Sequence, residues 1–217
     1  MRVGFVHTVG FLVDRFRALM AEEQPGADCF HILNESLLQD LLRGTDTVAV
    51  HRRMVEQVLL AADAGAGLVV VTCSSTSPAV DAARLVCPAP VLKIDDPMAA
   101  RAVSLGQRIA VLCTNTSTPG PSTALLHSHA REQGRAVEVT PVVRPGAYEA
   151  LFAGDRDRHD AIVTEAAHEA AGAADVLVLA QASLAHLQPA LAQSTGRPVL
   201  CSPPLLMQEL GRRLALP

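Results

Sequence analysis

A chain of 217 residues in which 49% of side chains are apolar and only 18% charged can bury a sizeable core, either as one large domain or as two of about 100 residues each. Its net charge of -4, single Tyr and lack of Trp leave neither a basic stripe for phosphates nor a platform for stacking bases, which argues against nucleic acid as a partner. No apolar stretch approaches the roughly 20 residues that cross a bilayer, and the run from Val3 is broken by His7, Gly10 and Asp14, unlike a signal peptide, so the expectation is no membrane partner and a cytoplasmic location.

Short β-branched runs alternate with longer Ala- and Leu-rich segments of helical period, the pattern of an α/β fold with a largely parallel sheet. In chain order the first half predicts strands at 2–7, 29–34, 67–73 and 90–94, with helices at 11–23, 47–64, 77–86 and 97–105. The second half predicts strands at 108–113, 136–143, 175–181 and 198–202, with helices at 119–133, 156–173, 184–194 and 204–214. The order repeats. Arg2 to Thr8 matches Arg108 to Thr114, and the third strand of each half stops at Cys73 or at Gln181. Two similar lobes follow, 1–96 with 204–217 and 97–203, each a mostly four-stranded parallel sheet flanked by helices, with the last helix crossing back onto the first lobe. Ligands of doubly wound sheets sit outside the carboxyl ends of the strands, so the expected active site is a cleft between the lobes.

The candidate chemistry sits at those strand ends. Cys73 precedes Ser74, Ser75, Thr76, Ser77 and Pro78, a hydroxyl-rich turn opening a helix, where a thiolate is favoured by exposed N–H groups and the helix dipole. Such a thiolate is a base or a nucleophile, and the bland alternative is a buried structural cysteine. Ser74, Ser75 and Thr76 offer a cradle for a carboxylate, or ordinary helix capping. Thr114, Asn115 and Thr116 form the equivalent turn of the second half, after Cys113, which reads as the end of a buried strand. His7 and Thr8 occupy the matching turn of the first half, where His7 is either an acid or base near neutral pH or a satisfied structural histidine. Asp95, Asp96 and Pro97 read as helix capping, and the charged run from Asp155 to Asp160 as a solvated face. The five cysteines are odd in number and widely spaced, which argues for free thiols. His127, His129, His168 and His186 lack ligand spacing with acids or cysteines, so no metal is expected, and no Gly-rich phosphate loop points to a nucleotide cofactor.

With these residues in view, Val70-Val71-Thr72-Cys73-Ser74-Ser75-Thr76 resembles the first catalytic-cysteine segment of the aspartate/glutamate/hydantoin racemase superfamily, and Leu179-Ala180-Gln181-Ala182-Ser183-Leu184 resembles its second, with Gln181 in place of the usual cysteine. The resemblance implies two α/β lobes, no cofactor, a small anionic substrate, a homo-oligomer, and a thiolate that removes a proton from the carbon next to a carboxylate or carbonyl. Gln181 and Ser183 would then bind substrate. Glutamine is neither acid nor base at neutral pH, so Cys73 would work as a single thiol. The implied activity is racemisation or isomerisation of a small acid, amino acid or hydantoin. A single-cysteine decarboxylase or lyase and a non-catalytic binding protein are the alternatives.

Overall fold

The computed structural model describes residues 1–215. β1 (Val3–His7) and β3 (Leu68–Val71) are buried at every position, the mark of parallel strands covered on both faces. With β2 (Cys29–Leu33) and β4 (Val91–Lys93) they form an all-parallel sheet in the order β2-β1-β3-β4. α1 (Phe11–Glu23), α2 (Ser36–Leu42), α3 (Thr47–Asp63) and α4 (Pro78–Val86) supply its crossovers. Val6, Val69 and Val71 pack on one side of this sheet against Val50, Met54 and Val58 of α3 and Val80 and Ala83 of α4.

A second all-parallel sheet, in the order β6-β5-β7-β8, is built from β5 (Arg108–Cys113), β6 (Glu138–Val143), β7 (Val176–Leu179) and β8 (Val199–Cys201). α5 (Asp96–Leu105) and α6 (Pro119–Glu132) cover one face, where Met98, Val103, Leu125 and Leu126 meet Ile109, Val111 and Val178. On the other face Leu112, Leu177 and Leu179 meet Val163 and Ala167 of α8 (Arg156–Ala171) and Leu191 of α9 (Gln188–Thr195), with α7 (Pro145–Phe152) beside α8. Alternate residues of β5 thus feed two cores, as the two-residue period of a strand requires. The chain divides into two compact units, Met1–Ile94 with the chain from Leu206 onward, and Asp95–Leu205. α10 (Ser202–Leu214) begins in the second and continues in the first.

Three details depart from the sequence reading. α2 and α7 were not foreseen as elements. The helix expected at 184–194 is two pieces, a 3₁₀ turn at Ala182–Leu187 followed by α9 with Pro189 in its first turn, where a proline's missing N–H costs nothing. The strand expected at 67–73 leaves its ladder at Val71, so Cys73 belongs to the turn beyond it.

Candidate functional site

In the first sheet the chain leaves β1 toward β2 in one direction and reaches β3 and β4 in the other, so the topological switch point lies at the carboxyl ends of β1 and β3. Val6 pairs with Val71, and the Thr72 N–H donates to the Val6 carbonyl at 3.0 Å. Thr8 and Cys73 each follow two residues beyond this last pair. Both are buried, at 2% and 6% exposure. The Thr8 hydroxyl makes no hydrogen bond to the protein. The turn after Cys73 is pinned by the Thr76 hydroxyl, which donates to the Cys73 carbonyl at 3.4 Å, and by the Ser77 N–H donating to the Ser74 carbonyl at 3.3 Å. Ser75 and Thr76 are buried within this turn, and α4 begins at Pro78 with no side-chain cap from Ser77.

His7, expected as an acid or base, is fully buried under this turn. The Thr72 hydroxyl donates to the Val6 carbonyl at 3.2 Å, which leaves its oxygen to accept from His7 Nδ1–H at 2.7 Å. His7 Nε2 must then accept, and it lies 2.9 Å from Nδ1 of His31. Both nitrogens are committed. Phe5 stacks on both imidazoles, at centroid distances of 5.9 Å from His7 and 5.2 Å from His31. Burial, with the charge of a protonated His31 as a smaller cause, pushes the His7 pKa down to about 3. A ring so held is neutral at physiological pH.

The second sheet repeats the geometry with other side chains. Leu112 pairs with Leu179, the Ala180 N–H donates to the Leu112 carbonyl at 3.0 Å, and Thr114 and Gln181 occupy the places of Thr8 and Cys73. Here the Thr114 hydroxyl is partnered. It donates to Gln181 Oε1 at 3.0 Å, as does the Thr114 backbone N–H. Asn115 is a turn residue: its Oδ1 accepts from the N–H and hydroxyl groups of Ser117 and Thr118, at distances from 2.7 to 3.2 Å. Thr116 is exposed and Ser183 half-buried. Burial pushes the Cys113 thiol up to about 12, as befits the buried strand end expected of it. Asp95, read as a cap, gives α5 no side-chain cap and instead accepts from the buried Ser202 hydroxyl.

Sequence reasoning missed one cluster. His186, which shows no ligand spacing with acids in the sequence, lies 2.9 Å from both carboxylate oxygens of Asp160, whose Oδ1 is also 2.6 Å from Nδ1 of His159. The cluster joins the first turns of α8 to the 3₁₀ turn after β7, and 26 residues separate Asp160 from His186, so no local spacing signals it. A cavity of about 530 Å³ between β5, β6 and α8, lined by Arg108, Thr140, Ala166 and Ala170 among others, contains none of the predicted site residues.

A profile of the Asp/Glu/Hydantoin racemase family matches residues 11–210. Comparison with curated protein sequences gives no match. Among solved structures, the chain is similar to an allantoin racemase from Klebsiella pneumoniae (TM-score 0.72, 16% identity, 99% of this chain and 88% of the other). It is also similar to a glutamate racemase isoform from Bacillus anthracis (TM-score 0.74, 16% identity, 98% and 80%) and to an arylmalonate decarboxylase (TM-score 0.61, 17% identity, 98% and 92%). At these identities the likeness establishes the fold.

Proposed function

The chain belongs to the aspartate/glutamate/hydantoin racemase family, a family of isomerases, and from that premise we propose that Cys73 is the catalytic thiol of a cofactor-independent enzyme. Its substrate is a small acid, amino acid or hydantoin, and the reaction takes place at the carbon next to a carboxylate or carbonyl. The observation that carries this reading is the difference between the two switch points. At one, the Thr114 hydroxyl is saturated by Gln181. At the other, the buried Thr8 hydroxyl has no protein partner, and the buried thiol of Cys73 follows the adjacent strand. An unmet buried donor is costly, on the order of 1–3 kcal/mol, and a substrate oxygen would repay it.

In this mechanism the Cys73 thiolate takes the proton on the α-carbon and becomes a thiol, while the electron pair moves onto the substrate's carbonyl or carboxylate oxygen. Thr8, Ser74, Ser75 and Thr76, through hydroxyl or backbone N–H groups, hold that oxygen as its charge grows, which is where fixed donors accelerate a reaction most. His7 acts as a positioning residue: it fixes the Thr72 side chain one residue before the thiol. Thr114, Asn115, Thr116, Gln181 and Ser183 are proposed as substrate-binding residues on the family resemblance, with Asn115 acting through its turn. Since Gln181 carries no exchangeable acid, one thiol must both remove and return the proton, or protonate a carbanion left by loss of CO2. The second form is the alternative reading, a single-cysteine decarboxylase, and Gln181 is the residue that favours it.

The test is proton NMR in D2O with amino acids, hydantoins, hydroxy acids and substituted malonates, comparing the wild type with Cys73→Ser. Cys73-dependent exchange at the α-carbon supports the reading, with a loss of about 10²–10⁴-fold in the variant, the usual worth of a positioned base. Loss of CO2 from a malonate selects the decarboxylase form. If Cys73→Ser works as fast as wild type on every compound turned over, Cys73 is not the catalytic group.

A further inference from the structure

We propose that His159, Asp160 and His186 form a binding site for one divalent cation of the zinc class. One ligand atom from each lies within 4.8 Å of the others. The set, two imidazole nitrogens and a carboxylate oxygen, is a familiar three-ligand complement for zinc, with a fourth position left to water.

Hydrogen-bond bookkeeping at His186 points the same way. The Ser183 carbonyl, which can only accept, lies 3.0 Å from Nδ1 of His186, so that nitrogen carries a proton. His186 then turns its other ring nitrogen, Nε2, toward the two carboxylate oxygens of Asp160, 2.9 Å away. A ring nitrogen and two carboxylate oxygens at that distance hold a positive centre between them, a proton or a metal cation. A carbonyl bonded to the far nitrogen of the ring is also how metal-binding histidines are oriented. His159 brings Nδ1 to 2.6 Å from the same carboxylate.

Metal–ligand distances of about 2.0–2.2 Å in a tetrahedron set ligand atoms roughly 3.4 Å apart. Asp160 stands closer than that to each imidazole, at 2.6 and 2.9 Å, and no pair of ligand atoms lies beyond 4.8 Å. Burial grades across the site in a useful way. The His159 side chain is wholly buried, while those of Asp160 and His186 keep 28% and 36% of their surface. A cation can therefore enter from solvent and keep a water ligand, while its innermost ligand is fixed by packing. Bound there, it would tie the start of α8 to the turn that carries Gln181 and Ser183. The site does not depend on the catalytic reading of Cys73.

The competing occupant of the same space is a proton shared between His186 and Asp160. To separate the two, protein stripped with a chelator is titrated with Co²⁺ while visible absorption is followed, and with Zn²⁺ by calorimetry. Wild type should bind about one equivalent of each and give the d–d bands of low-coordinate cobalt. Asp160→Asn and His186→Gln, checked for native far-UV circular dichroism, should lose at least about 10²-fold in affinity. His168→Gln and Cys29→Ser, which alter a histidine and a thiol outside the cluster, should bind as wild type. No stoichiometric binding by the wild type overturns the proposal in favour of the shared proton. Unchanged binding by folded Asp160→Asn and His186→Gln overturns it too, by placing the metal elsewhere.

Discussion

Thr8 and Thr114 hold the same place in two sheets of the same strand order, yet only Thr114 has a protein partner for its hydroxyl. A buried hydroxyl with nothing to bond is a stability cost retained in the fold, and activity is the natural reason to retain it. Thr8→Val keeps the shape and removes the hydroxyl. The expected outcome is a protein more stable by about 1 kcal/mol and slower in α-proton exchange by about 10²-fold, measured by urea denaturation and by NMR. A variant less stable than wild type and equally active would remove Thr8 from the site. His7 makes a separate prediction. Its ring stays neutral in the fold down to about pH 3, while in the unfolded chain it takes up a proton near pH 6.5. Between those values the unfolded chain binds more protons, so the contribution is complete above about 6.5 and declines as pH falls toward 3, by up to about 5 kcal/mol in all. Urea midpoints from pH 4 to 7 should rise with pH in wild type, and less steeply in His7→Gln. The turn that holds Cys73 was legible in the sequence because a β-branched run stops at it. The partners of Thr72 and Gln181 were not, since they come from strands about 65 residues away.

β1 and β5 carry equivalent positions that show how each element is fitted to its neighbours. Gly4 pairs with Phe30, and Ala110 pairs with Thr140. A Cβ on Gly4 would lie 3.0 Å from the Phe30 ring and 3.0 Å from the Ala66 methyl, whereas the second sheet has a smaller residue in the place of Phe30 and accommodates Ala110. Gly4→Ala should therefore cost about 1–3 kcal/mol by overpacking. Adding Phe30→Thr should make the two changes less than additive, because it removes one of the three close contacts, the others being the methyls of Ala66 and Ala61, and a double-mutant cycle in urea measures that coupling. Strict additivity would mean that the Phe30 ring does not limit β1. The long helices and all eight strands were legible from their periods. α2 and α7, at seven and eight residues, are too short for a helical period to stand out, and α7 opens on Pro145-Gly146, a turn signal. The 3₁₀ turn was hidden for another reason. Leu184 and Leu187 are buried as a helix would bury them, but Pro189 fixes where the α-helix can begin.

At the scale of the whole chain, the four-strand order shared by the two sheets was legible because both kept their apolar runs, while the side chains that differ at the strand ends, Cys73 and Gln181, belong to no period. The two units also differ in how they are closed. Asp95–Leu205 is continuous and holds cores on both faces of its sheet. The other unit is discontinuous: it draws Leu206, Met207 and Leu210 from α10, each fully buried, across more than a hundred intervening residues. A fragment spanning 95–205 should fold alone and unfold cooperatively in urea. A fragment spanning 1–94 lacks those three side chains, and at about 2–5 kcal/mol for each large buried residue removed the loss is comparable with the whole stability of a domain, about 5–15 kcal/mol. It should therefore be unfolded by circular dichroism, and joining residues 202–217 to it through a Gly/Ser linker should restore a cooperative transition. If 1–94 folds as stably without that segment as with it, α10 contributes no essential part of the first core, and the discontinuity serves only to connect the chain.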